Sequence, residues 1–555
     1  MELTPLKDEV KLKAIRVPAV LPLPEDLVGR FTRDEWKVFG HFCNKNPELD
    51  CMSDPVYLRN VAKCIKATAN GKLDDVIRDP LKMTSHPLYK KWSAYYQGIK
   101  DKKALERKDP KVKAATKARN ETLKAKYGTC EVDGVEEPLQ SYALEPEGIF
   151  PGRPGSPDAG LWKEATDIAE VVVNAKTFLP KLLIGDDDTE HTYSWNLSFN
   201  PENHYAARYP VRVGVPGEKP TSVQWKKIMF SAKASCKKEG QQKKYDASEV
   251  LIDNIVPLMD KIVRDCEENP TATSIALYLL FTKGIRIGNA KPTKNGTKGL
   301  LTLEWGKDVK PTGHGFGIKF DFLGKDSVHD LSEIELPNQL MYNNFTTLWA
   351  DQKKLKTTKE EIKKYVTSLI PGVPYTPKLS RTVVAANTMI QALDEVVRKY
   401  KLTKDSDEGL KKLAFNEANM EVAKRLNHQR GVNKTAEAKR KAKFEENKTK
   451  LKDREAKAKE LEAKRKARIK ELEKKGGKEE TIAKLQAMID KSKSRVKLAK
   501  MNESFKEENQ NFVATTSKSA YICPRIIKSF CDRVSLPIEK VYTKTQVDQF
   551  SEFFD

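Results

Sequence analysis

Residues 471–485 read ELEKKGGKEETIAKL, and the paired glycines Gly476 and Gly477 decide how the C-terminal part of the chain is arranged. From about 434 to 510 the sequence is nearly all Lys, Arg, Glu and Ala. Its apolar residues are sparse but ordered: Phe444, Leu451 and Ala458, then Leu461, Ile469 and Leu472. After the glycines they resume at Ile482, Leu485, Ile489, Val496 and Ala499, close to the a/d positions of a heptad. Two glycines end a helix, so the pattern predicts an antiparallel two-helix hairpin. Each arm should run about 35–40 residues, or about 50–60 Å at 1.5 Å per residue. Such a hairpin returns the chain close to where it left. The final segment, TTSKSAYICPRIIKSFCDRVSLPIEKVYTKTQ (515–546), is thereby brought back to the region around residue 430.

At 555 residues the chain is too long for one core, and two to four domains are expected. Its 101 Lys+Arg against 78 Asp+Glu leave a net charge of +23, which calls for a polyanion, either nucleic acid or an acidic membrane surface. Neither a C₂H₂ finger nor an aromatic RNP signature is present, so phosphate-dominated binding with little base readout is expected. No stretch of ~18 apolar residues is present to span a bilayer. The first residues, MELTPLKDEVKLKAIRVP, have no apolar h-region, so a signal peptide is not expected. The cysteines (Cys43, Cys51, Cys64, Cys130, Cys236, Cys266, Cys523 and Cys531) are scattered without a C-x-x-C pair, which predicts neither a disulfide framework nor a zinc site. With no P-loop and no Rossmann fingerprint, nothing points to nucleotide consumption.

Upstream of the hairpin, texture changes near residue 245. Residues 1–245 are mixed and Pro/Gly-punctuated: an extended entry segment at 17–27, short helices in DEWKVFGHFCNK and PVYLRNVAKCIKA, and a basic helical stretch over 102–128 broken at Pro110. A Gly/Pro loop over 144–160 follows, and TYSWNLSF and PVRVGV alternate as strands do. Residues 246–433 are more evenly globular. The apolar spacing over 247–268 predicts one helix with Val250, Leu251, Ile255, Leu258, Met259 and Ile262 on its face. A second helix covers 272–290, a hairpin 317–331 with its turn at LGKD, and two further helices 378–400 and 416–431.

Five side chains with chemical potential stand in order: Arg286 in TKGIRIGNA, Lys325 in FDFLGKDS, Arg381 in PKLSRTVVAAN, His428 in RLNHQR and Tyr521 in SKSAYICPR. Singly, each is more often a helix cap, an ion pair or a core residue than a catalytic group. As an ordered set they resemble the eukaryotic-type DNA topoisomerase IB enzymes. RIGN (286–289) is similar to the family's Arg-Ala-Gly-Asn, and LSRT (379–382) to its Phe-Arg-Thr helix start. FDFLGKDS (320–327) and NHQR (427–430) stand unaltered. SKSAYICPR with PIEKVYTKTQ matches the family's C-terminal tyrosine segment, and LEPEGIFPGRPG resembles its N-terminal Gly-rich loop.

The resemblance implies an α+β multidomain fold. Its parts would be a mixed clamp or cap (1–245), a mostly helical recombinase-like catalytic core with a β-hairpin (246–433), an antiparallel coiled-coil linker (434–510) and a small helical C-terminal domain (511–555). It implies Tyr521 as the nucleophile on a DNA phosphodiester, forming a 3′-phosphotyrosyl ester. Arg286, Arg381 and His428 would stabilise charge on the phosphoryl oxygens, and Lys325 would be the general acid for the 5′ leaving oxygen. The four donors do the charge work of a metal, so no metal or other cofactor is expected. Arg153, Asp326 and Ala520 would lie at the DNA near the cleavage point. The expected partner is double-stranded DNA, gripped by a monomer and not a membrane. The location would be the nucleus in a cellular eukaryote, otherwise cytoplasm, nucleoid or a virus. A match beginning near residue 20, without the family's long charged extension, predicts a trimmed chain or a compact lineage.

Two other classes fit parts of the pattern. A tyrosine recombinase shares the Arg/Lys/His/Tyr logic, but the linker and the FDFLGKDS and PIEK motifs argue against it. A coiled-coil DNA-binding scaffold explains the charge but not the ordered motifs. One departure carries a prediction. Nuclear members have Asn before the tyrosine, at a position the family ties to camptothecin, and here it is Ala520. The wild-type chain is expected to resist the drug, and Ala520→Asn to gain drug-stabilised cleavage; equal sensitivity of the two would contradict this.

Overall fold

The computed structural model describes residues 10–12, 14–153, 155–175, 182–184, 189–191, 196–198, 205–288, 296–430, 434–476 and 478–554. The architecture is α+β and multidomain. The chain forms two compact units: 1–247 with 291–298 and 325–327, and 248–290 with 299–324 and 328–555. The regions 434–510 and 511–555 both fall in the second unit.

In the first unit, helices α1 (Arg33–Cys43), α2 (Pro55–Ala69), α3 (Asp74–Ile77), α4 (Pro87–Glu106) and α5 (Pro110–Tyr127) accompany a sheet. Thr32 and Glu35 form a capping box at the start of α1, each satisfying the other's backbone N–H. Pro110 is the first residue of α5 behind the Asp109 cap, so the proline starts a helix as readily as it breaks one. The sheet is built on Tyr205–Gly214, which pairs antiparallel with Ser222–Met229, Trp162–Lys163 and Val172–Val173. PVRVGV lies in that central strand. Of TYSWNLSF, Asn196–Leu197 forms a strand and residues 192–195 and 199 lie outside the described residues. Trp36, Phe39, Phe42, Trp92 and Trp162 fill the core between sheet and helices.

Helix α6 (Ser235–Asp253) carries the chain from the first unit into the second. The single helix expected over 247–268 is broken: α6 ends at Asp253, and α7 (Ile255–Glu268) starts afresh after Asn254. Pro257 explains this. It lacks the N–H that a continuous helix would need from it, but within the first turn of α7 no such donor is required. The break redistributes the apolar face. Leu251, Leu258 and Ile262 are buried, whereas Val250 and Val256 are exposed.

Helix α8 (Ala272–Thr282) is buried on nearly every side, and Lys283 caps its end. An antiparallel sheet follows, in which Val309–Pro311 pairs with Gly317–Leu323 and that strand with His329–Glu335. Ile318, Phe320 and Phe322 point inward as the alternation predicts, and Lys325–Ser327 forms a 3₁₀ turn between the two longer strands. Helices α9 (Gln339–Gln352) and α10 (Lys359–Leu369) precede the long α11 (Leu379–Tyr400), which packs on α8 and on α12 (Glu408–Arg425). The helix expected over 416–431 stops at Arg425. Asn427 adopts a left-handed conformation (φ 52°), and His428 lies beyond the helix on an extended turn.

The charged segment forms α13 (Lys434–Lys474) and α14 (Glu479–Glu508), of 41 and 30 residues. Ion pairs Lys448–Glu507, Lys500–Glu455 and Lys493–Glu462 link the arms. Each step is seven residues forward on one arm and seven back on the other, an antiparallel register. Ile489 is fully buried and Ile469 nearly so, and these apolar contacts outweigh the exposed ion pairs in holding the arms together. The return is closed by backbone bonds: Arg430 N–H donates to Asn511 O (2.9 Å) and Val513 N–H to His428 O (2.8 Å). Helices α15 (Thr515–Ala520), α16 (Pro524–Val534) and α17 (Lys544–Gln549) complete the chain.

Candidate active site

Four side chains far apart in sequence meet in the second unit. Tyr521 sits between α15 and α16. Pro524 opens α16, and Cys523 before it is extended, so the chain turns sharply at the tyrosine. Tyr521 is 5% exposed. Its hydroxyl lies 3.2 Å from a terminal nitrogen of Arg286. The Arg381 guanidinium carbon is 5.2 Å from the centre of its ring, and the His428 ring is 5.3 Å away.

Each partner is fixed by backbone. Arg286 follows α8 on an extended strip whose carbonyl accepts from Leu300 N–H (2.9 Å). Two glycines permit that strip. Gly284 has φ 65°, and a Cβ there would press on Leu426 and Val384. Gly288 has φ 79° and lies back-to-back with Gly299, leaving no room for a side chain. Arg381, 4% exposed, sits in the first turn of α11 and donates to Gly284 O and, at 3.0 Å, to Leu426 O. One side chain thus ties the end of α8, the start of α11 and the end of α12 together.

The electrostatics follow from this packing. Burial alone would push the Tyr521 phenol up, but Arg381 and Arg286 outweigh it and hold the phenol below its ordinary value of 10. Burial and the charge of Arg286 press Arg381 down to about 10, still well above neutrality, so it keeps its charge. Burial, Arg381 and Arg286 lower His428 from 6.5 to about 3, so the imidazole is neutral at pH 7. Arg381 offers only donors, so its long contact with His428 Nε2 (3.4 Å) makes that nitrogen an acceptor. The ring proton is then on Nδ1, 3.0 Å from Ser517 Oγ.

The remaining expected residues are not among the side chains gathered there. Lys325 is exposed on the turn between Leu323 and His329. The Asp326 side chain lies outside the described ones. Arg153 is exposed on the Gly/Pro loop of the first unit, which Asn60 pins by donating to Pro157 O and Ala159 O. Ala520 is half-buried at the end of α15. Among the described residues no cluster of three or more His, Cys, Asp or Glu could hold a metal ion, and no helix is long and apolar enough to cross a membrane.

Three sequence profiles of one family match in order along the chain: the DNA-binding fragment of eukaryotic DNA topoisomerase I at 31–188, its catalytic core at 233–465, and the C-terminal topoisomerase domain at 493–551. The chain belongs to the eukaryotic DNA topoisomerase I family. Relatives include DNA topoisomerase 1 alpha of Arabidopsis thaliana, 29% identical over 78% of this chain and 46% of the relative. DNA topoisomerase 1 of Caenorhabditis elegans is 27% identical over 76% and 51%, respectively. The mitochondrial DNA topoisomerase I of Rattus norvegicus is 25% identical over 99% and 92%. The chain spans about half the length of the plant and worm relatives.

Within this topoisomerase I fold, sequence reasoning missed Ser517. It is fully buried, its hydroxyl meets His428, and its carbonyl accepts from the N–H of Tyr521 and of Ile522 (both 3.0 Å). Its spacing of four residues before Tyr521, one helical turn, was the available signal. A small hydroxyl in a polar stretch gives no hint of burial.

The His428 shift has a stability consequence. The unfolded imidazole titrates near 6.5 and the folded one near 3, so the unfolded chain binds more protons between those values. The stability contributed by the neutral ring is whole above pH 6.5 and is lost as pH falls toward 3. Urea midpoints between pH 6.5 and 4 should therefore fall less steeply for His428→Gln than for wild type; parallel slopes would contradict the buried neutral imidazole.

Proposed function

We propose that the chain relaxes supercoiled DNA as a type IB topoisomerase: Tyr521 cuts one strand through a 3′-phosphotyrosyl intermediate, the free strand rotates, and the ester is resealed without ATP. The observation that carries this reading is the buried Tyr521 hydroxyl 3.2 Å from Arg286, beside Arg381 and His428. A phenol is a poor nucleophile while protonated, and two guanidiniums that favour its anion ease the loss of that proton.

The step balances as follows. Tyr521 loses its proton to water, and its oxygen attacks phosphorus. The bond from phosphorus to the 5′ oxygen breaks, and that oxygen takes a proton from Lys325. Religation reverses each transfer, and a phosphodiester is exchanged for a phosphoester of similar energy. Charge accumulating on the non-bridging oxygens meets Arg286 and Arg381, whose planar forks suit a phosphate. Arg381 Nε is a buried donor with no partner, which an incoming phosphoryl oxygen would satisfy. His428 takes a proton from water at Nε2 when the phosphate's charge offsets the arginines, and donates it as a hydrogen bond while Ser517 holds Nδ1.

On this reading residues 1–245 form a clamp or cap, 246–433 a recombinase-like core, 434–510 a coiled-coil linker, and 511–555 the domain that delivers the nucleophile. Arg153, Asp326 and Ala520 lie along the DNA near the cleaved bond. The protein works as a monomer closed around duplex DNA, in the nucleus of a cellular eukaryote.

Supercoiled plasmid incubated with the protein in EDTA, without ATP, should relax from either sign of supercoiling. Tyr521→Phe should abolish relaxation while keeping salt-sensitive DNA binding; residual relaxation by that variant would contradict the assignment of the nucleophile.

A further inference from the structure

Lys283 caps α8, three residues before Arg286, and reaches the hairpin that bears Lys325. Its ammonium lies 3.3 Å from Asp330 Oδ1, donates to Ser332 Oγ, and stands 5.1 Å from the centre of the Phe320 ring. Phe320 and Ser332 face each other across the two hairpin strands. A single cation therefore touches both strands at one cross-strand pair. Ser332 Oγ also donates to Asp330 Oδ1 (2.6 Å), so cation, hydroxyl and carboxylate close a small ring of hydrogen bonds. The Lys283 and Asp330 side chains are only 10% and 12% exposed. Burial pushes the Lys283 ammonium down from its ordinary value, while Asp330 works to keep it charged. The charge of Asp330 also reaches Arg381.

A surface lysine could serve as a loose anchor. A buried one, bonded to two side chains and packed on a third, admits a single arrangement, because breaking the pair leaves an uncompensated charge in low dielectric. The strands it grips continue to Leu323 and from His329, and between them lies the turn with Lys325.

We infer that Lys283 and Asp330 are positioning residues for the cleavage reaction: their buried ion pair bolts the hairpin that carries the proton donor to the helix end that carries Arg286. The inference rests on the reading of Lys325 as general acid and extends it to the residues that aim it. The role assigned to the pair is to aim Lys325, not to contact the substrate.

The leaving group tests this. A 5′ oxygen needs a proton to depart, whereas a 5′ sulfur leaves as a stable thiolate. Single-turnover cleavage is measured on duplexes that differ only in oxygen or sulfur at the scissile 5′ position. Lys325→Ala should be slow on the oxygen substrate and near wild type on the sulfur one. Lys283→Met, and the double variant Lys283→Met/Asp330→Leu, which leaves no unpaired charge, should lose on the order of 10²-fold on oxygen. Both should recover on sulfur. If Lys325→Ala recovers and the double variant is equally slow on both substrates, or is slow on neither, the bolt is overturned and the role of Lys325 stands. If Lys325→Ala itself fails to recover on sulfur, the general-acid reading falls and the bolt with it. Should Lys283→Met fold poorly, the double variant alone decides.

Discussion

The arrangement depends on the Arg381 guanidinium. It is buried, and its hydrogen bonds to Gly284 O and Leu426 O hold three helix ends around one point. Hydrogen bonds from a charged donor contribute about 1.5–3 kcal/mol each, so the guanidinium is both the cement of the site and its main charge. Carbonyls supply partial negative charge without neutralising it. A carboxylate in direct contact would have compensated the cation and left little field for a phosphate. Beside Arg286 and the tyrosine, the result is a pair of charged guanidiniums already in place, which need not reorganise when negative charge develops beside them.

That site also depends on a chain path. Tyr521 comes 93 residues after His428, and 75 of them are the two arms and their turn. Among the described residues the arms contribute no side chain to the cluster. Their service is geometric: the antiparallel register returns the chain to Arg430, where backbone bonds to residues 511 and 513 fix the start of the segment that carries Tyr521. Ser517 then links that segment to His428, so the tyrosine and the imidazole are positioned by the same short helix.

Much of this was legible in the sequence for physical reasons. Gly476 and the sparse heptad announced the two arms, because a two-helix hairpin has only local rules to obey. The hairpin at 317–335 declared itself through the alternation of Ile318, Phe320 and Phe322. Other features were hidden. The break at Asn254 was masked by apolar spacing that continues through it, and Pro257 was the overlooked signal. His428 was assigned to a helix that Asn427 ends, since the cost of a left-handed residue is repaid by tertiary contacts that spacing cannot show. The pair Lys283–Asp330 joins a helix end to a strand 47 residues later, and nothing in either stretch marks those two charges, among the chain's many, as buried partners.

The central claim is that paired guanidiniums overcome burial and keep the Tyr521 phenol acidic. The most direct measurement is a pH titration of ¹³Cζ-labelled tyrosine by NMR, with the Tyr521 signal assigned by its loss in Tyr521→Phe. The account predicts a midpoint below 10 in the DNA-free protein and an upward move in Arg286→Gln, where only Arg381 is left to oppose burial. A midpoint at or above 10 in the parent protein, unmoved by removing Arg286, would contradict it.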